Sequence, residues 1–383
     1  MENLLNLAVA VTPGKMLNRI LEAHGWTQRD LADITGLSDK TISLLIKDKQ
    51  SITPETAKTL ADATDKNMKY WLTLYANCQI AKKDEEKATK EENVKARALM
   101  RTYMPVAEMK KLGWFESDVA TKQEIENEYK RVFGSPFLPV ELFENSTLVM
   151  AARQTKDDVA LSKYYRTAWF SFARFHASAM LSSGPARPYD KSSLELIARN
   201  LYAYTTKENG VERLLCDLYE AGVNFFVLSH LAKTYLDGAA FLFEKDGVKN
   251  PFIVYTARYD REDNFWFVMA HEIAHILLHF DFLDKPKLDD MDEFGSDERS
   301  EREKEADTAA LCYLRNEVVL ACGRMLKRKY VTATMASRLE ESTGVAACVA
   351  LGMLQHEKII PWNIDATLKP KIKAKFPETY IRG

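Results

Sequence analysis

Histidine is scarce in this chain, seven residues in 383, yet three fall within nine positions, at 271, 275 and 279. They lie in Trp266-Phe-Val-Met-Ala-His-Glu-Ile-Ala-His-Ile-Leu-Leu-His279, which contains the pattern His271-Glu272-x-x-His275. Positions four apart on an α-helix stand one turn apart on the same face. Both imidazoles can therefore reach one Zn²⁺ at the ~2.0–2.1 Å that zinc–nitrogen bonds require. Glu272 stands beside them, a carboxylate able to take a proton from the attacking water. The remaining face of this helix is apolar, so the chain around it must build a core to receive it.

A catalytic zinc site needs a third protein ligand and an open position. Downstream, Glu301-Arg-Glu-Lys-Glu-Ala-Asp-Thr-Ala-Ala310 reads as a second helix. Glu303 and Asp307 are four apart and share a face. This spacing suits Glu303 as the ligand and Asp307 as a carboxylate that orients a liganding histidine from outside. Glu301 and Glu305 fall on other faces and read as solvated, Glu305 being the weaker alternative for the ligand. Asp281 stands six residues past His275, where metzincin-like enzymes place a third ligand. Those enzymes need a glycine three residues past the second histidine, and Leu278 stands there instead. His279 is expected to rotate away from the metal.

The segments before this helix read as strands: Asn224–Leu228, Ala239–Phe243 and Phe252–Tyr255. An edge strand beside a metal can pair with an extended peptide. Ala240-Phe-Leu-Phe and Ile253-Val-Tyr are the candidates for that role. His230, just past the first strand, is a candidate to stabilise an oxyanion. Tyr255 and Tyr259 are weaker candidates.

Length alone suggests two to three domains. Residues 80–97 are mostly charged and helix-forming, as in a solvated connector. The expected organisation is a DNA-binding head over residues 1–79, a charged helical linker over 80–97, a helical middle region over 98–190, and a mixed body over 191–383 with a helical tail. Within the middle region Tyr165, Trp169 and Phe172 recur on one helical stripe and read as core. In the tail, Ala336–Glu341 and Ala346–Gln355 read as two helices about a turn. The second of them carries no positive charge, which favours packing on the body over DNA contact.

No apolar run approaches the ~20 residues of a membrane helix. Met1–Val11 lacks a basic leader and carries Glu2, which makes a poor signal peptide. The five scattered cysteines read as reduced core residues, so a cytoplasmic protein with no membrane partner is expected. The formal net charge of −2 gives no global nucleic-acid signature.

The N-terminal region nevertheless has the logic of a DNA reader. Thr27 caps a short helix whose inward face is Leu31, Ala32 and Ile34. Gly36 fits the positive φ of a sharp turn. Ser38 caps the next helix, which turns Ile42 and Leu45 inward. Ser38, Asp39, Lys40, Thr41, Ser43 and Lys47 are then free to face a major groove, and Gln28 is placed to meet a phosphate. Residues 13–76 hold nine Lys/Arg against eight Asp/Glu, a net of +1. Tight binding therefore calls for cations gathered on one face and for a homodimer.

Thr27–Ile46, with Ser51-Ile-Thr-Pro-Glu-Thr-Ala-Lys-Thr-Leu-Ala-Asp-Ala63, resembles the helix-turn-helix of the XRE/Cro family, and within it the HigA-type antitoxin branch. His271, Glu272 and His275, followed by Glu303, Ala306 and Asp307, resemble the ImmA/IrrE metallopeptidases, a gluzincin-like group, over about residues 195–320. The C-terminal tail is similar to that of HigA-like antitoxins fused to such a domain. The resemblance implies a multidomain α+β fold, mostly helical. It would have an all-α helix-turn-helix, a helical middle region and a zincin-like α+β body. It also implies a regulator that binds double-stranded operator DNA and hydrolyses peptide bonds in one protein partner, whether a repressor, a toxin or itself. The alternative is a non-enzymatic antitoxin or repressor whose zinc domain only binds a toxin or senses a ligand.

Overall fold

The computed structural model describes residues 11–144, 156–184, 187–283, 301–324, 331–363 and 366–382. The chain forms two compact units, Met1–Lys95 and Ala96–Gly383.

In the first unit, α1 (Pro13–His24), α2 (Gln28–Thr35), α3 (Asp39–Ile46) and α4 (Pro54–Ala63) precede the long α5 (Met68–Tyr103). Thr12, Thr27, Ser38 and Thr53 each accept the backbone N–H of the third residue of the helix that follows. Such caps stabilise by about 1 kcal/mol each, which matters for helices this short. Gly36 adopts φ +70° between α2 and α3. Leu17, Leu21, Leu31, Ala32, Ile42, Leu45, Leu60 and Trp71 form the core. Ile34 departs from expectation and is 48% exposed. Burial of Ala32 turns Ile34, two residues on, through about 200° to the outer side. The charged run from residue 80 onward lies within α5, mostly exposed.

The second unit is built on a four-stranded sheet. Its strands are β1 (Asn224–Leu228), β2 (Gly238–Lys245), β3 (Val248–Tyr255) and β4 (Ile381–Arg382), in the order β2-β3-β1-β4. β1 runs parallel to β3 and β4, while β2 and β3 form an antiparallel hairpin. Asp246 and Gly247 both take positive φ between these two strands, as a two-residue hairpin turn requires.

Both faces of the sheet are buried, with period two. Phe225, Val227, Ile253 and Tyr255 face one core, and Phe226, Leu228, Phe252 and Val254 face the other. The second face is covered by α6 (Val106–Lys111), α7 (Lys122–Phe133), α8 (Val140–Glu144) and α9 (Lys156–Ser183). Residues 98–190 thus share a core with the sheet. Trp169 and Phe172 are fully buried there and Tyr165 is partly buried, as the aromatic stripe predicts. The Trp169 indole donates to the Ser229 carbonyl at 3.1 Å, and Arg166 Nε to that of Thr234 at 2.8 Å. These bonds pin the loop that leaves β1.

The first face receives α10 (Lys191–Arg199), α11 (Leu201–Thr205), α12 (Gly210–Glu220), α13 (Glu262–Leu278), α14 (Glu301–Tyr313), α15 (Asn316–Gly323), α16 (Ala333–Thr343) and α17 (Ala347–His356). The two helices α16 and α17, turned about Gly344, pack into this core with Val349, Leu351 and Leu354. All five cysteines are free thiols. Cys78 and Cys348 are buried, but Cys216 and Cys312 are exposed, against the core expectation. On α12 the inward positions belong to Leu214, Leu215 and Leu218, which turns Cys216 outward. No described helix is long and apolar enough to cross a membrane.

Candidate metal centre and recognition helix

Helix α13 is buried along most of its length by Phe265, Trp266, Met269, Ala270, Ile273, Ala274 and Ile276. Its fixed placement aims His271 and His275 at α14. Their Nε2 atoms are 2.9 Å apart. Glu303 enters from α14 and bridges them, Oε2 to His271 Nε2 at 3.3 Å and Oε1 to His275 Nε2 at 3.3 Å. Ligand atoms ~2.05 Å from a tetrahedral ion stand about 3.3 Å from one another. The donor set and its spacing therefore fit a small divalent cation, and among the described residues His271, His275 and Glu303 form the one such group.

The electrostatics agree with that fit. Burial alone would pull His271 down. Hydrogen bonds to Asp307 and Glu303, with the nearby charge of Glu272, outweigh burial and hold its pKa at about 10. Burial would raise Glu303, but its bonds to His271 and His275 keep it well below the ordinary carboxylate range. Asp307 Oδ1 lies 2.9 Å from His271 Nδ1, on the side of the ring away from the cluster. Three carboxylates, Glu272, Glu303 and Asp307, thus surround two imidazoles and call for positive charge.

Glu272 is buried, and burial pushes its carboxyl up against the opposing pull of His271 and His275. The backbone N–H of Ala240 on β2 faces this carboxyl and favours its charged form. The approach is close: a Cβ on Gly238 would meet Val268 Cγ1 at 2.5 Å and Glu272 Oε1 at 3.0 Å. Of the two candidate edge segments, Ala240–Phe243 lies on the edge strand β2. Ile253–Tyr255 lies on β3, between β2 and β1, with no free edge to offer. Farther along β2, the Leu242 N–H donates to the Leu283 carbonyl at 3.1 Å.

His230 is not brought to this cluster. It follows β1, separated from the edge by β3, and its charged neighbours are Glu108, Arg258, Lys373 and Asp237. Burial, with Arg258 and Lys373, pulls its imidazole below the ordinary value against the opposing charge of Glu108. Tyr255 is buried and bonds Asn264, and Tyr259 lies against Arg258. Asp281 is exposed in the short turn Phe280–Phe282.

His279 stays out of the ligand group, as expected, but in a setting the sequence does not suggest, and Glu305 differs from the sequence reading. His279 stays within the cluster's surroundings: it is 5% exposed, with Nδ1 at 3.2 Å from His275 Nδ1. Glu305, read as solvated, reaches His279 Nε2 at 2.9 Å. The available signal is the ladder of three histidines at intervals of four, which keeps all of them near one helix face. The roles of Gly238 and Ala240 have no sequence signal, because they depend on how close β2 runs to α13.

In the first unit, α3 presents Asp39, Lys40 and Lys47 to solvent, with Thr41 and Ser43 partly buried. Gln28 is exposed at the first position of α2. The Ser38 hydroxyl is engaged in the cap, bonded to the Thr41 N–H at 3.1 Å and the Thr41 hydroxyl at 2.8 Å.

Fold and site together define a regulator-like class: a helix-turn-helix unit, and an α+β unit with a His–His–Glu cluster beside a sheet edge. Comparison with known families agrees. Residues 17–71 match the helix-turn-helix family model, and residues 222–348 match the IrrE N-terminal-like domain model. Two segments of the chain are thus similar to known families, an XRE-type helix-turn-helix at the N-terminus and an ImmA/IrrE-like domain in the C-terminal region. Comparisons with curated proteins and with solved structures gave no significant match.

Proposed function

We propose that this protein is a DNA-binding transcriptional regulator whose second unit is a zinc-dependent peptidase acting on one protein partner. The observation that carries the reading is the pairing of a complete His271–His275–Glu303 cluster with a buried Glu272 beside a sheet edge. A structural zinc site has no need of that fourth group.

His271, His275 and Glu303 would hold Zn²⁺, which supplies Lewis acidity toward a scissile carbonyl. Asp307 keeps the His271 ring oriented, with its Nδ1 proton directed outward. Glu272 takes a proton from the attacking water and later delivers one to the leaving amine. Its raised affinity for protons, a result of burial, suits both halves of that exchange. An extended substrate would lie along β2, the strand nearest Glu272. Asp39, Lys40, Thr41, Ser43 and Lys47, with Gln28 on the preceding helix, would meet operator DNA as part of a homodimer.

The partner cut is a repressor, a toxin or this chain itself, and the protein would act in the cytoplasm. The test is co-expression of wild type or Glu272→Gln with proteins encoded beside it, read by intact mass. Cleavage by wild type alone supports the peptidase. Absence of cleavage with intact DNA binding and toxin neutralisation would instead support the antitoxin reading.

A further inference from the structure

The two liganding histidines are held from behind in different ways. His271 Nδ1 meets a carboxylate directly, Asp307 Oδ1 at 2.9 Å. His275 Nδ1 meets another imidazole, His279 Nδ1 at 3.2 Å, and His279 Nε2 meets Glu305 Oε2 at 2.9 Å. Helix α14 therefore supplies three carboxylates to three histidines: Glu303 to the cluster, Asp307 behind His271, and Glu305 behind His279.

We infer that His279 and Glu305 form a positioning dyad that fixes the ring orientation and tautomer of His275 and so tunes metal affinity. This rests on the zinc reading above. The proton inventory has one solution. A His275 that binds metal through Nε2 carries its proton on Nδ1. That N–H donates to His279 Nδ1, which must then be bare. The His279 proton is consequently on Nε2, where it donates to Glu305. No proton is left without an acceptor, and each ring is held in a single tautomer. His279 is not a fourth ligand, because its Nδ1 lies against the side of the His275 ring opposite the liganding nitrogen.

The two ends of the chain of bonds differ in setting. The His279 side chain is 5% exposed, whereas that of Glu305 is 56% exposed. The relay thus runs from the partly buried cluster through a buried imidazole to the surface. His279 should matter more than Glu305, since solvent screens an exposed carboxylate.

The experiment uses the full chain and zinc alone, with affinity read by chelator competition. Cobalt(II) absorption reports on the ligand field without any turnover. His279→Leu should weaken zinc binding about 10–100-fold. His279→Asn, which keeps an acceptor near the Nδ1 position, should recover most of that loss. Glu305→Ala, a surface change that leaves the core untouched, should weaken binding by up to about tenfold and shift the cobalt bands. In the His279→Asn background, Glu305→Ala should have no further effect, because the link is already cut. Zinc affinity of His279→Leu and Glu305→Ala within twofold of wild type, with unshifted cobalt bands, would overturn the dyad alone. An equal Glu305→Ala loss in both backgrounds would do the same. A wild-type chain that binds no zinc would overturn the metal reading itself, and the dyad with it.

Discussion

The helix-turn-helix unit and the His–His–Glu cluster solve opposite problems. A recognition helix works by leaving side chains outside: Asp39, Lys40 and Lys47 are exposed, and the core uses only what remains of an eight-residue helix. The cluster works by bringing charge inside. Glu272 is buried, His271 is held at about 10, and Glu303 is held far below its usual range. The first arrangement is assembled from neighbours in sequence. The second joins α13 to a helix that begins 23 residues beyond its end. Surface recognition therefore tolerates change in small steps, whereas a buried cluster fails at once when one charge is removed.

That contrast can be broken most severely at Glu303. Glu303→Ala leaves two imidazoles to hold the ion alone. Zinc content by elemental analysis should fall from about one per chain to near none, while DNA binding by the same protein persists. Retained zinc would point to another ligand, Asp281 being the next to change. Glu272→Gln is the next largest effect. It keeps the shape and the acceptor for the Ala240 N–H but removes the base. Zinc should stay, and cleavage of the partner should slow by about 10²–10⁴-fold in a timed assay.

On the other side of the comparison, the expected steps are smaller. Lys40→Ala should weaken operator binding by about 1–3 kcal/mol, seen as a mobility-shift midpoint, with zinc content unchanged. A truncated chain lacking residues 1–78 that still bound the operator would remove the head from the mechanism altogether. Thr53→Ala removes the hydroxyl that accepts the Thr56 N–H at 3.2 Å. It should cost about 1 kcal/mol and lower the unfolding temperature of the helix-turn-helix unit slightly. A change large enough to unfold that unit would mean that its helices depend on their caps far more than on their core.

The same contrast explains how much is legible in the sequence. Capped helices, the Gly36 turn and inward Ile42 and Leu45 are local patterns, and the structure reproduces them. The spacing of His271, His275, Glu303 and Asp307 is likewise local within each helix, and the fold brings the two helices together. The strands near 224, 239 and 252 are visible from their apolar runs, but their order is not. Order decides that β2 is the edge and that His230 lies away from the cluster. Glu305 escapes such a reading because helical periodicity places it on the outer side of α14. Periodicity says nothing of a histidine arriving from another helix within reach of its carboxylate.

The covered edge of β2 has a consequence for the life of the molecule in a crowded solution. An open strand edge is where foreign chains pair and aggregation begins. Along β2 the Ala240 N–H faces the Glu272 carboxyl, and the Leu242 N–H is taken by the Leu283 carbonyl. A strand that registers there must displace these partners, a cost that a substrate held by further contacts can offset and a stray chain cannot. The strand nearest Glu272 is thereby kept from casual pairing, a protection that needs no added domain.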